Sequence, residues 1–218
     1  MLRAVIFDFD GVVLDTETPL FDAWARTFEH YGAEPISHAL WTAAMGRHED
    51  DPEALDPILL LTETVGATVD PAAVQQLRRV FRDEVLDASP LRPGVLDLLD
   101  RAGQLGLSVA IASSSPQGWI ERHLRPRNAL DLFPTLVCAG DGVPGKPDPA
   151  VYLEAARQLG VAPADCLAIE DSPNGVAAAK AAGAICIAAP TPVSSSLDLR
   201  AADLVVDSIE DIDLDRWM

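Results

Sequence analysis

Two aspartates follow the first apolar run of the sequence, in the segment Phe7-Asp8-Phe9-Asp10-Gly11. The carboxylate of Asp8 could attack phosphorus and form an aspartyl phosphate. Asp10 lies two residues on, on the same side of an extended segment, and could exchange protons with the leaving oxygen and then with water. An isolated Asp-x-Asp pair at a strand end is also typical of a turn or a solvated end. Whether the pair is catalytic therefore depends on residues elsewhere in the chain.

Polar side chains also follow three later apolar runs. Each of these residue types can also have a purely structural role, because serines cap helices, acids favour helix N-termini and lysines cover surfaces. In an open parallel sheet, however, ligands bind beyond the carboxyl ends of the strands. Since all of these residues fall at that one edge, the sequence predicts a single site that combines them with the aspartates. They are Ser113 and Ser114, Lys146, and Glu170 with Asp171.

Electrostatics indicates what such a site must contain. Two carboxylates about 4 Å apart repel each other by roughly 4 kcal/mol at an effective dielectric constant near 20. The four acids Asp8, Asp10, Glu170 and Asp171 must therefore share protons, or Lys146 and a cation must lie among them. Oxygen ligands without nearby His or Cys favour a hard divalent ion, and Mg²⁺ is the expected cofactor.

The remaining polar groups suit a phosphate. Ser113 and the backbone amides around Ser114 stand where a helix is expected to start, and helix N-termini bind anions. Lys146 and a metal ion could neutralise the charge that develops during phosphoryl transfer. Ser113, Ser114 and Lys146 are therefore the predicted phosphate-binding residues of the core.

Apolar runs and helical patterns alternate over most of the chain. Short, nearly continuous apolar runs are typical of strands buried on both faces of a parallel sheet. Residues 16–88 contain amphipathic stretches but no strand pattern. The predicted fold is α/β, a doubly wound parallel (Rossmann-like) sheet core formed by residues 1–15 and 89–218, with a small all-helical cap of residues 16–88 inserted after the first strand. The predicted strands lie at 4–7, 107–112, 135–138, 166–169, 184–187 and 204–206.

Composition and charge narrow the range of partners. The 218 residues are 49% hydrophobic and 23% charged, as in an ordinary globular protein, and 16 Lys and Arg against 34 Asp and Glu give a net charge of −18. That charge argues against nucleic acid and anionic membranes as partners. The three cysteines, Cys138, Cys166 and Cys186, lie in apolar runs, which suits buried thiols in a reducing cytoplasm. We expect a monomer, although the sequence leaves oligomers open.

The motifs as an ordered set resemble those of the haloacid dehalogenase superfamily. The likeness is to the members with a small helical cap, the group of β-phosphoglucomutase and of sugar-phosphate and phosphoglycolate phosphatases. It covers essentially the whole chain. The matching segments are Asp8 to Glu17 for the first motif, Ser113 for the second, Lys146 in Gly-Lys-Pro-Asp-Pro for the third, and Glu170 to Gly175 for the fourth.

The resemblance implies a role for each acid in the core. Asp8 would be the nucleophile and Asp10 the general acid and base. Mg²⁺ would be bound by Asp8, by the backbone carbonyl of Asp10 and by Asp171, with Glu170 in support. The resemblance also implies that the cap closes over the site.

Four positions are implied to bind the substrate. Ser113 and Lys146 would hold the transferring phosphoryl group. In the cap, Gly46-Arg47-His48 lies where relatives place substrate-binding residues, so Gly46 and Arg47 are candidates. Arg47 could bind a second anionic group, or it could be a solvated residue beside the acidic run that follows.

Two details separate the activities found in this superfamily. Asp10 favours phosphate esters, because the branches that cleave carbon–halogen or carbon–phosphorus bonds lack an aspartate there. The mutase carries a histidine in the segment that here reads Glu17 to Phe21, where none occurs. The leading hypothesis is a phosphoric monoester hydrolase, a Mg²⁺-dependent phosphatase of a small phosphorylated metabolite such as a sugar phosphate. A β-phosphoglucomutase-like mutase and a non-catalytic phosphate-binding domain are the alternatives.

Overall fold

A computed structural model describes residues 1–44, 55–140 and 142–218. The chain forms two compact units. The core unit comprises Met1–Asp15, Pro90–Thr191 and Leu197–Met218, and the helical unit comprises Thr16–Ser89 and Pro192–Ser196. The helical unit thus interrupts the core unit in sequence between Asp15 and Pro90, after the first strand. No sequence pattern indicated that the short segment 192–196 groups with the helical unit.

The core unit contains one sheet of six parallel strands in the order β3-β2-β1-β4-β5-β6. The chain runs outward from β1 to one edge, then crosses back and fills the other side from β4 onward. This doubly wound order confirms the predicted α/β fold, and it puts the ligand crevice beyond the ends of β1 and β4. The strands are β1 Ala4–Phe7, β2 Ser108–Ser113, β3 Leu136–Cys138, β4 Cys166–Glu170, β5 Ile185–Ala188 and β6 Leu204–Val205.

Burial follows the position of each strand in the sheet. Every residue of β1 and β4 is buried, as expected for central strands covered by helices on both faces. The prediction of a fully buried strand at 204–206 was wrong. β6 is a two-residue edge strand, and Val205 is 47% exposed, because an edge strand has a neighbour on one side only.

The helical unit has its own apolar core. Trp24 and Phe28 pack there with Leu61 and Val74. Asp56 and Asp70 cap two of its helices, and each is followed by a proline at the first helical position. The described part of this unit contains no strand. Its helices are α1 Glu17–His30, α2 His38–Ala44, α3 Pro57–Val65 and α4 Pro71–Ala88; α2 was not predicted.

Four helices of the core unit pack against its sheet. They are α5 Val95–Gln104, α6 Gln117–Leu124, α7 Ala150–Leu159 and α8 Pro173–Ala182. Ser172 caps α8, since its hydroxyl accepts a hydrogen bond from the backbone N–H of Gly175 at 3.1 Å. None of the helices in the described residues has the length and apolar character needed to span a bilayer.

Candidate active site

Three buried acids converge at the carboxyl edge of the sheet. Phe7 of β1 is paired with Ile169 of β4, so the next residues on the two strands, Asp8 and Glu170, emerge side by side. Carboxylate oxygens of Asp8, Glu170 and Asp171 lie within 4.8 Å of one another. All three side chains are buried. The structure therefore brings together acids that are about 160 residues apart in the chain.

Lys146 lies between two of these acids. Its Nζ donates hydrogen bonds to Asp8 Oδ1 and to Glu170 Oε1, each at 2.6 Å. The side chain is 5% exposed, so both ion pairs are shielded from water. A buried carboxylate that loses its ionic partner is strongly destabilising. Lys146 therefore lies buried between Asp8 and Glu170 and not at the surface.

The charges in this cluster do not balance. Burial, together with the negative charges of Glu170 and Asp10, raises the pKa of Asp8 to about 8, although Lys146 opposes the rise. Burial acts to lower the pKa of Lys146, but Asp8 and Glu170 outweigh it and raise that pKa above its usual range. Lys146 is therefore a permanent single positive charge among several carboxylates. The remaining negative charge would be relieved by a proton or by a bound cation.

Glu170 is held by donors on both of its oxygens. Oε1 accepts from Lys146 and from the hydroxyl of Tyr152. Oε2 accepts from the backbone N–H of Asp171 at 3.2 Å and from the Ser172 hydroxyl at 3.3 Å. Glu170 therefore orients its hydrogen-bonding neighbours, above all Lys146. Sequence reasoning missed Tyr152, which lies on the buried face of α7 and carries no motif of its own.

Two glycines allow the acids to take these positions. A Cβ built on Gly175 would lie 1.9 Å from Glu170 Oε2, and one built on Gly11 would lie 2.1 Å from Asp171 Oδ2. Gly11 also has a φ of 79°, a backbone conformation that other residues rarely adopt. Both positions therefore exclude any side chain while the carboxylates remain where they are.

Asp10 faces a different set of partners. Its Oδ2 accepts a hydrogen bond from the Ser115 hydroxyl at 2.6 Å, and its Oδ1 accepts one from the indole N–H of Trp119 at 2.9 Å. Trp119 lies on α6, and sequence reasoning did not single it out, because a tryptophan on an amphipathic helix usually signals packing.

The serines lie at the end of β2 and in the loop that follows it. Ser113 is buried, and its Oγ accepts from the backbone N–H of Ser115 at 3.0 Å. Ser114 Oγ accepts from the backbone N–H of Lys146 at 3.0 Å, which ties the serine loop to the lysine loop. The two cap candidates, Gly46 and Arg47, lie outside the described residues.

A half-buried arginine links backbone carbonyls beside this site. The Arg92 guanidinium donates to the carbonyl of Gly11, and it donates to the carbonyls of Ala189 and Pro190 at 2.9 and 3.0 Å. It thereby connects the segment after β1 to the segment after β5. No pattern in the sequence distinguishes Arg92 from a surface arginine, because its partners are backbone atoms distant in the chain.

Comparison with known proteins agrees with this geometry. The family model of haloacid dehalogenase-like hydrolases matches residues 2–183. The chain belongs to this family. The predicted resemblance is thereby confirmed, and the matched range includes every acid, serine and lysine described above.

Several haloacid dehalogenase-like relatives resemble the chain over nearly its full length. YhcW of Bacillus subtilis is 37% identical over 215 residues, covering 98% of this chain and 95% of YhcW. A phosphorylated carbohydrates phosphatase of Thermotoga maritima is 34% identical and covers 84% of this chain and 82% of its own. A beta-phosphoglucomutase of B. subtilis is 32% identical, with coverage of 98% and 93%.

A solved structure supports the same relationship. CbbY from Rhodobacter sphaeroides, crystallised in complex with phosphate, superimposes with a TM-score of 0.69 at 26% identity and covers 97% of this chain and 96% of that one. The fold and the family are therefore shared over the whole chain, not over a local motif.

The close approach of Gly175 to Glu170 leads to a test. We expect Gly175→Ala to lower activity about 10²-fold, since a displacement of about 1 Å in supporting groups has effects of that size. The matched control is Gly118→Ala in the first turn of α6, where a Cβ would meet nothing within 4 Å. It should leave activity unchanged and raise stability by up to about 1 kcal/mol. Phosphate release measures the activity of each variant, and thermal melting measures its stability. Equal behaviour of the two variants would contradict the argument that Glu170 leaves no room for a side chain at position 175.

Proposed function

We propose that the protein is a Mg²⁺-dependent phosphatase that hydrolyses a small phosphomonoester through an aspartyl phosphate on Asp8. The observation that carries the proposal is the buried Asp8–Lys146–Glu170 cluster beside Asp171, at the switch point of the sheet. Such a cluster combines a nucleophilic carboxylate with a fixed cation and with acids able to bind a metal. The family of hydrolases to which the chain belongs supports the same conclusion.

The acids present fit a magnesium ion. Their donors are all oxygen, they are buried, and they carry more negative charge than Lys146 neutralises. Asp8, Asp171 and the backbone carbonyl of Asp10 would hold the ion, and Glu170, whose oxygens already accept internal hydrogen bonds, would support them. When bound, Mg²⁺ would neutralise negative charge that develops on the phosphoryl oxygens.

The chain's own residues then account for both steps. A carboxylate oxygen of Asp8 attacks phosphorus, and the bond to the leaving oxygen breaks while Asp10 supplies that oxygen with a proton. Lys146 and Ser113 bind the transferring phosphoryl group. Asp10, now ionised, takes a proton from water, which attacks the aspartyl phosphate. Inorganic phosphate leaves, and Asp8 and protonated Asp10 are restored.

The substrate class is inferred from the relatives. The T. maritima relative is named for phosphorylated carbohydrates, so we propose a sugar phosphate or a similar phosphomonoester. A phosphosugar mutase remains the second candidate, because a relative of 32% identity is a beta-phosphoglucomutase. The missing histidine between Glu17 and Phe21 favours hydrolysis.

Removal of the nucleophile tests the central claim. We expect Asp8→Asn to lower phosphate release from p-nitrophenyl phosphate by about 10³-fold or more while the fold is retained, because an amide cannot form the aspartyl phosphate. Asp131→Asn, at an exposed aspartate of the core unit, is the control and should retain full activity. Substantial turnover by Asp8→Asn, with unchanged circular dichroism, would disprove the assignment.

Chelation tests the metal. Dialysis against EDTA should abolish activity, and Mg²⁺ should restore it. Mg²⁺ should also stabilise the metal-free wild type, by about 2.7 kcal/mol at a hundred times its dissociation constant. Asp171→Asn should lose this shift in the melting temperature, whereas Asp131→Asn should keep it. Full activity in the presence of EDTA would show that no divalent ion is needed.

Product analysis separates hydrolysis from isomerisation. Incubation with β-glucose 1-phosphate should yield free phosphate and glucose, because no histidine stands where the mutase carries one in the early cap. Accumulation of glucose 6-phosphate without free phosphate would instead establish the mutase. Chromatography of the products, with Asp8→Asn as the blank, distinguishes the two outcomes.

A further inference from the structure

The carboxylate of Asp10 is fixed by two side chains that no motif of the sequence assigned to it. We propose that Ser115 and Trp119 are positioning residues that hold Asp10 where it delivers its proton to the leaving oxygen. This proposal rests on the function proposed above. Its basis is the pair of hydrogen bonds from the Ser115 hydroxyl and the Trp119 indole, at 2.6 and 2.9 Å.

The two donors determine how the carboxylate is oriented. One donates to Oδ2 and the other to Oδ1, so rotation about the bond between Cβ and Cγ would break both hydrogen bonds. A carboxylate can accept about four hydrogen bonds. Two donors therefore leave lone pairs on Asp10 that can carry the proton for a leaving oxygen or accept one from a water. Glu170 differs, because both of its oxygens accept from two donors.

Both donors are themselves held in place. The backbone N–H of Ser115 donates to Ser113 Oγ at 3.0 Å, which ties the residue to the end of β2. The Trp119 ring packs edge-on against His123, with ring centroids 4.2 Å apart and an interplanar angle of 74°. His123 is fully buried one turn along α6. The donors thus belong to the rigid framework of the core unit, as a positioning role requires.

Asp10 needs such support because its backbone, which bridges to Leu14, does not by itself fix the rotamer of the carboxylate. It follows the end of β1 and precedes Gly11, whose φ of 79° turns the chain away from the strand direction. A general acid acts only within hydrogen-bonding reach of the oxygen that it protonates. A carboxylate free to change rotamer at this point would spend part of its time outside that reach.

Leaving groups of different stability reveal this role. p-Nitrophenolate is a stable anion that departs with little help from an acid, whereas the phenolate released from phenyl phosphate gains more from protonation. We expect Trp119→Phe, which keeps an aromatic ring but removes the N–H donor, to lower kcat/KM for phenyl phosphate about tenfold, part of the roughly 10²- to 10⁴-fold that a positioned acid supplies. For p-nitrophenyl phosphate the loss should stay below about twofold.

Ser115 gives an independent variant should Trp119→Phe fail to fold. Ser115→Ala should show the same dependence on the leaving group, and Ser115→Thr, which keeps a hydroxyl, should restore activity toward phenyl phosphate. In an Asp10→Ala background, Trp119→Phe should change kcat/KM by less than about twofold, because the acceptor is gone.

The outcomes decide between positioning and simple packing. Equal losses on both phosphates, or a further large loss in the Asp10→Ala background, would show that Trp119 merely supports the fold and would overturn the proposal. A gain in activity would mean that the hydrogen bonds hold Asp10 away from its working position, and would overturn it as well. Absence of any phosphatase activity in the wild type would refute the proposed function itself, which is a distinguishable result.

Discussion

The ammonium group of Lys146, buried between Asp8 and Glu170, is the interaction on which the rest of the site depends. Without it, three carboxylates would converge in a region that excludes water, and each close pair would repel by several kcal/mol. One lysine neutralises only part of this charge. The same imbalance that makes the site costly to fold makes it suited to a divalent cation and to the phosphoryl transfer chemistry proposed for it.

The parallel sheet supplies the positions of these groups. Adjacent central strands end at the same level, so Asp8 and Glu170 follow paired residues and need no long-range adjustment to meet. Small residues then permit contact distances that side chains would prevent, as Gly175 does beside Glu170. Around this centre lie donors that act indirectly: Tyr152 on Glu170, and Ser115 with Trp119 on Asp10.

Much of the fold could be predicted from the sequence because its signals are local. Strands β1 and β4 are short apolar runs that end in acids, and α8 begins with a serine and a proline. The predictions failed where the length of an element or its position in the sheet decided the structure. Helix α2 is too short for its periodicity to be recognised, and β6 resembles a buried strand in sequence but lies at an edge, where it has one neighbour.

The sequence by itself determined the order of the motifs and the family. It also determined which acids, serines and lysine gather at the end of the sheet. Only the tertiary structure decided which of them touch. That Lys146 pairs with both Asp8 and Glu170, while Asp10 is held by Ser115 and Trp119, depends on side-chain directions and on contacts between residues about 25 to 140 positions apart. Residue types and spacing record which groups a chain carries. The distances between groups so far apart in sequence are set by strand register and packing.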